Sequence, residues 1–297
     1  MSQRLTISVS TWNVGASAGA QSTSTADGID GWLHVGKADV HVIALQEVID
    51  INSPLSYVGL PSLYEAAQDG LSETVSSEAA VWEAAILAKL PGHRLVAKRQ
   101  LVGIMLFVLV AEKHLPNCAA ARVTQLGTGP LGAGNKGAAA ASLILYGSTL
   151  CIIGAHLAAG SKGPSARNKD TQQILAGLSF PRSSQAAASS SSSEGGGDAP
   201  PPPALPSTVD AHDFIIWCGD LNYRLSMKDD DARAIAQARQ WQSLMGSDEL
   251  RLSQLSGAAW AGFSEGDMRF PPTYKYDTHS DGMRGVTPSL SKGFLVS

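Results

Sequence analysis

Four short apolar runs in this chain each stop at a polar residue able to carry chemistry, and that recurrence narrows the possible folds more than any other feature. Residues 6–12 lead to Asn13, 40–46 to Glu47, 150–155 to His156 and 214–219 to Asp220, with Asn222 two positions further on. Runs of this length rich in Val, Ile and Leu read as strands buried on one or both faces. Residues 101–110 and 138–145 read the same way. Residues 168–178, with Ile174, Leu175 and Leu178 on one face, and 232–245, with Ile235, Ala238, Trp241 and Met245, have a helical period. The class is α/β or α+β with layered sheets.

In layered folds of this kind ligands bind at the carboxyl ends of strands, so the four strand ends are expected to meet in one crevice. The residue types suit a hard cation and a phosphate. Mg²⁺ is held by one or two carboxylates plus waters and phosphate oxygens, which Glu47 with Asn13 beside it could supply, leaving His156 and Asp220 for phosphate and water. Each residue alone has a plainer reading: a solvated loop glutamate, a hydrogen-bonded structural histidine, an Asx-turn. Their shared place at strand ends favours the crevice.

Of the 297 residues 44% are hydrophobic, which is enough for a sizeable core. Between Pro181 and Asp210 the chain reads RSSQAAASSSSSEGGGDAPPPPALPSTV. With little to bury, residues 182–209 are expected to be a disordered insertion. Strand-like runs ending in catalytic-type residues flank it, so residues 1–297 are read as one domain. The net charge of −4 and the pI near 6.0 give no field that draws polyanions, which argues against nucleic acid as a partner. Cys118, Cys151 and Cys218 show no disulfide or zinc spacing and read as reduced thiols of a cytoplasmic protein. No apolar run reaches the roughly 18 residues of a membrane span, and the N-terminal residues lack a secretory pattern.

Six motifs then occur in a telling order: TWNVGA at 11–16, ALQEV at 44–48, GNKG at 134–137, GAHLAAG with RNKD at 154–170, WCGDLNYRL at 217–225 and FPPTYKYD at 270–277. This series resembles the inositol polyphosphate 5-phosphatase catalytic domain, within the Mg²⁺-dependent endonuclease/exonuclease/phosphatase superfamily. GDLNYR and PTYKYD set the 5-phosphatases apart from the superfamily's nucleases. The resemblance implies a four-layered α/β sandwich with two packed mixed sheets. It further implies a hydrolase that removes the 5-phosphate from phosphatidylinositol polyphosphates or inositol polyphosphates, cytoplasmic and peripheral at membranes. Carried over residue by residue, it places Glu47 on Mg²⁺ with Asn13 nearby, Asp220 on the attacking water, and Asn222 and His156 on the scissile phosphate. Asn135 and Lys136 would contact the inositol 1-phosphate, and Tyr274 and Lys275 the 4-phosphate. Arg167 and Asn168 would form the substrate-facing wall. Lysines on glycine- and proline-bounded turns suit such roles, because phosphoryl transfer needs mainly positioning and charge neutralisation.

After PTYKYDTHSD the family continues to a Trp-Cys-Asp-Arg and a Ser-Asp-His motif, whereas this chain reads GMRGVTPSLSKGFLVS. The expectation is a sandwich lacking its last strands, with an open apolar sheet edge. Turnover should also be reduced, since one preorganised donor is typically worth about 10²–10³ in rate. A catalytically inactive phosphoinositide-binding fragment is the alternative, and a nuclease is disfavoured by PTYKYD. Thr171 stands after RNKD where the family usually has tyrosine.

Overall fold

The computed structural model describes residues 4–15, 29–50, 75–129, 135–160, 163–180 and 204–273, with the backbone of 294–296. Tyr274 and Lys275 lie outside the described residues, as do 182–203 of the expected insertion.

Strands β1 (Ile7–Asn13), β2 (Val40–Gln46), β3 (His93–Leu101) and β4 (Ile104–Ala111) form a mixed sheet in the order β1-β2-β4-β3. Its β1 and β2 are parallel and the other pairs antiparallel. The second sheet is built from β5 (Cys118–Gly127), β6 (Gly137–Leu145), β7 (Ser148–His156), β8 (Phe214–Asp220), β9 (Ser264–Glu265) and β10 (Phe294–Val296), in the order β5-β6-β7-β8-β10-β9. Here β7 and β8 are the parallel pair. The described helices are α1 (Ser77–Lys89), α2 (Gly163–Gly177), α3 (Asp229–Gln237) and α4 (Glu249–Leu255), besides a helical turn at 29–33.

Strand alternation creates four layers. Val40, Val42 and Ala44 of β2 face Ala139, Ala141 and Leu143 of β6 between the sheets. The intervening Ile43 and Leu45 pack outward on Trp82 and Ile86 of α1. Ala138, Ala140, Ile153 and Trp217 pack on Ile174, Leu178 and Trp260 on the far side of the second sheet. Helix α1 is stopped at its N-terminus by Ser76, whose hydroxyl accepts from the Ala79 amide at 3.2 Å, and it buries Ala79, Trp82 and Ile86 one and two turns apart. The sheets approach closely at one end because the residues there are small: a Cβ added to Gly154 would lie 3.2 Å from that of Ala44.

Three expectations need correction. Residues 204–209 are not loose: Leu205 and Val209 are buried, Thr208 bridges Ser179, and the Phe180 amide donates to Ser207 O at 2.8 Å. The two apolar side chains provide the burial that the preceding polar stretch cannot. The sheet edge beside β8 is not open, since β10 pairs with it antiparallel, Phe294 opposite Cys218 and Val296 opposite Ile216. The expected helix over 232–245 breaks after Gln237. Arg239 takes a left-handed φ of 56°, ending the helix, and Trp241–Ser247 continue as 3₁₀ turns. All three cysteines are free, and burial pushes the Cys151 and Cys218 thiols up to about 12. Among the described residues no helix is long and apolar enough to cross a membrane.

Candidate active site

The two parallel pairs face one another across the sandwich, so four strand ends open at the same place. Asn13 closes β1 opposite Gln46, and His156 closes β7 opposite Asp220. Glu47 follows β2 with φ 55° and Asn222 follows β8 with φ 59°. Such left-handed, non-glycine backbone carries a cost and clusters where a side chain must be aimed. Here it turns each residue out of its strand into the crevice. Glycines make the close approaches possible: at Gly137 an added Cβ would run into Leu126 O, and at Gly219 into Ala155 O.

Side chains from both sheets then meet. The Asn13 amide donates to Glu47 Oε1 at 2.8 Å and to Asp220 Oδ2 at 2.9 Å, joining two carboxylates that would otherwise repel. Its own carbonyl is oriented by the Gly15 amide at 3.0 Å. Asp220 Oδ1 accepts from the Asn222 amide at 3.3 Å, and the Asn222 side chain donates to Leu157 O. His156 Nε2 lies 3.8 Å from Glu47 and 3.9 Å from Asp220. The Lys136 ammonium lies only 2.6 Å from the same nitrogen. A lysine ammonium can only donate, which assigns the accepting role to Nε2 and the imidazole proton to Nδ1. Burial lowers the Lys136 pKa, while the charges of Asp220, Glu47 and Asp170 act in the opposite direction.

The wall behind the site is a buried polar network. Arg167 is 1% exposed, donating to Ala158 O, to Gly160 O at 2.8 Å and to Glu249 at 2.9 Å. Glu249 also accepts from the Arg224 amide. Asn168 accepts from the Tyr223 hydroxyl at 2.6 Å, which in turn accepts from the Trp260 indole. The Arg167 guanidinium is held in the wall by protein acceptors, and Asn168 lies well inside α2. Thr171 uses its hydroxyl on Arg167 O inside the same helix.

Sequence reasoning therefore placed Asn13, Glu47, His156, Asp220 and Asn222 together, and the structure brings them together. Asn135 stands exposed, and Lys136 is half-buried with its ammonium against His156. The residues not singled out are Asp170, Tyr223 and Glu249. Asp170 belongs to RNKD and Tyr223 to WCGDLNYRL, polar motif residues away from the strand ends.

The donor set fits a hard cation. Glu47 and Asp220 offer carboxylate oxygens, and the Glu47 side chain is 44% exposed. An open oxygen site completed by waters and substrate suits a hard cation better than a softer metal.

Comparison with known proteins agrees. The model of endonuclease/exonuclease/phosphatase family 2 matches residues 10–287. Human synaptojanin-1 is 28% identical over 94% of this chain and 17% of its own length. Type IV inositol polyphosphate 5-phosphatase 9 of Arabidopsis thaliana is 30% identical over 92% of this chain and 64% of its own. The chain thus spans less than two thirds of these relatives. Among solved structures, the inositol polyphosphate 5-phosphatase domain of SpSynaptojanin, in complex with inositol (1,4)-bisphosphate and calcium ion, superposes with a TM-score of 0.75 at 25% identity, covering 98% of this chain and 76% of that one. A Cimex nitrophorin, at TM-score 0.64 and 17% identity, shares the fold alone.

Proposed function

Because this chain belongs to endonuclease/exonuclease/phosphatase family 2, we propose that it is a Mg²⁺-dependent phosphoric monoester hydrolase. Its substrates are phosphatidylinositol polyphosphates or inositol polyphosphates, from which it removes the 5-phosphate. On the lipids it works in the cytoplasm at the membrane surface. The observation that supports this most is the joining of two carboxylates from different sheets by one amide, Asn13, beside a His156–Lys136 pair. Carboxylates for a cation and a water, with an imidazole and an ammonium for phosphate oxygens, are what metal-assisted phosphoryl transfer to water needs. The similarity to named inositol polyphosphate 5-phosphatases narrows the substrate class.

Glu47 and Asn13 would hold the cation, which supplies positive charge against the phosphate and the leaving oxygen. Asp220, oriented by Asn13 and by the Asn222 amide, takes the proton of the attacking water as its oxygen bonds to phosphorus. The inositol 5-oxygen departs with the electron pair of the broken P–O bond and takes up a proton from solvent. Lys136 and His156 steady the phosphate oxygens, and Lys275 is assigned to the neighbouring 4-phosphate.

Phosphate release from a panel of phosphoinositide vesicles and soluble inositol phosphates, with Mg²⁺ or with chelator, tests the reading. Release confined to 5-phosphorylated substrates and lost with chelator is expected. Release from substrates phosphorylated only at position 4, or undiminished release with chelator, would refute it.

A further inference from the structure

Beyond Asp220 the chain leaves the sheet. Strand β8 ends in register with His156, and the next backbone bridge is that of Leu225 with Asp248. Asn222, with its left-handed φ of 59°, lies on the arch between them. The near end of the arch is anchored by the Leu157 amide, which donates to Asp220 O, and by the Asn222 side chain on Leu157 O. The far end is held by a residue of α4, Glu249. Its amide donates to Arg224 O at 3.0 Å, and its Oε2 accepts from the Arg224 amide at 2.8 Å.

The same oxygen also accepts from Arg167 Nη1 at 2.9 Å, and Arg167 grips the chain leaving His156 through Ala158 O and Gly160 O. Two strand-end loops therefore converge on Glu249 Oε2, one running on from His156 and the other carrying Asn222. The Glu249 side chain is 13% exposed, so water competes little for these contacts. A glutamate in the first turn of a helix is otherwise an ordinary partner of the helix dipole. We propose that Glu249 is a positioning residue, whose Oε2 fixes the loop after β8 against the loop after β7 and so aims Asn222 at the phosphate. The consequence for turnover rests on the phosphatase reading, whereas the consequence for the loop does not.

The test separates charge from placement and has two arms, both on the full chain. Glu249→Gln keeps an acceptor oxygen in place and loses only the charge. Glu249→Asp keeps the charge and draws the oxygen back by one carbon, and Glu249→Met keeps the length and loses the oxygen. In the first arm, hydrogen exchange is read by mass spectrometry. Residues 221–226 should exchange at least about tenfold faster in Glu249→Met and Glu249→Asp than in wild type and Glu249→Gln, with 214–219 of β8 unchanged. Glu249→Asp carries the test alone should Glu249→Met fail to fold. Equal exchange at 221–226 in all four proteins overturns the proposal. So does acceleration spread evenly over β8, which would mark a general loss of stability.

The second arm is steady-state release from a 5-phosphorylated substrate, expressed per folded molecule. Glu249→Met and Glu249→Asp should lower kcat about tenfold, a typical effect of an outer supporting residue. KM should stay nearly unchanged, because a misaimed Asn222 fails the transition state more than the bound substrate. Glu249→Gln should keep kcat within about threefold of wild type even as its melting temperature falls, the buried Arg167 having lost its counter-charge. A loss of kcat as deep in Glu249→Gln as in Glu249→Asp would assign the effect to charge and overturn the positioning role, as would wild-type kcat in Glu249→Asp and Glu249→Met. If wild type releases no phosphate from any substrate, the phosphatase reading fails by itself and the exchange arm still decides the effect on the loop.

Discussion

The two ends of the sandwich both gather histidines and acids, yet they use them oppositely. At the crevice end, His156 stands among Glu47, Asp220 and Lys136, with the Glu47 carboxylate still open to a ligand. At the far end, where β2 begins and β4 finishes, His114 places Nε2 3.0 Å from Asp39 and Nδ1 2.8 Å from the Tyr146 hydroxyl. Asp39 also takes Lys113 at 2.8 Å and the Thr6 amide at 2.9 Å, contacts that hold its carboxyl well below the usual carboxylate range. Asp39, Lys113, His114 and Tyr146 satisfy one another and tie the two sheets together, while both ring nitrogens of the neighbouring His41 have no partner. At the crevice the Glu47 carboxylate is open and carried on left-handed backbone. The contrast teaches that function shows in what a polar group leaves unused, more than in its type.

The largest effect should come from breaking the contrast directly. Glu47→Gln removes the charge offered to a cation and should cut phosphate release by at least about 10²-fold, the scale of losing a preorganised electrostatic group. Its melting temperature should stay close to that of wild type. Asp39→Asn should do the reverse, costing about 1 kcal/mol of stability as the buried His114 loses a charged acceptor, with activity per folded molecule preserved. Release assays beside thermal melts on the two variants check this. Equal activity losses would mean that the far end reaches into the chemistry.

Next comes the closeness of the sheets. Adding side-chain carbons at Gly154 drives them into Ala44, 3.2 Å from the first carbon, and Leu106, 3.4 Å from it. Gly154→Val should cost about 1–3 kcal/mol by overpacking and, by parting Glu47 from His156, lower kcat as well. Urea unfolding and steady-state kinetics test both. A stable variant with full kcat would show that the crevice does not depend on this contact.

How much of this was legible in the sequence follows from the same physics. The central strands β2, β4, β6, β7 and β8 are apolar on both faces and announce themselves. The edge strands β3, HRLVAKRQL, and β5, CAAARVTQLG, are mixed in polarity and read as nothing in particular. They are strands because neighbours supply the hydrogen bonds. The break at Arg239 is invisible to a hydrophobic period that carries on to Met245, since the residue that turns left-handed is not glycine. Strand-end position found Asn13, Glu47, His156 and Asp220. It could not find Asp170, which lies on a helix packed behind the site. His41, second in β2, and His156, last in β7, are both buried, and strand-end position is what separates them.

His41 supplies the smallest effect and the finest test of the comparison. It is fully buried at the far end, its ring edge-on to His93 at 4.8 Å. Burial first, then the charge of His93, hold its pKa down to about 4, and neither ring nitrogen has a hydrogen-bond partner. A histidine whose folded pKa lies below its unfolded value of 6.5 gives stability that is fully present above 6.5 and is lost as pH falls toward 4. The whole-protein curve will not display this cleanly. Asp248 and Glu265 are pushed up by burial to about 6 and about 7, and such raised carboxyls act in the other direction, their contribution present in acid and lost as pH climbs through those values. The difference between wild type and His41→Leu cancels the shared carboxyl contribution. That difference should move by about 1–3 kcal/mol between pH 7 and pH 4, wild type losing the more. Chemical unfolding of both proteins across that range measures it. A flat difference would mean that His41 accepts its proton inside the fold, and the far end would then share the openness of the crevice.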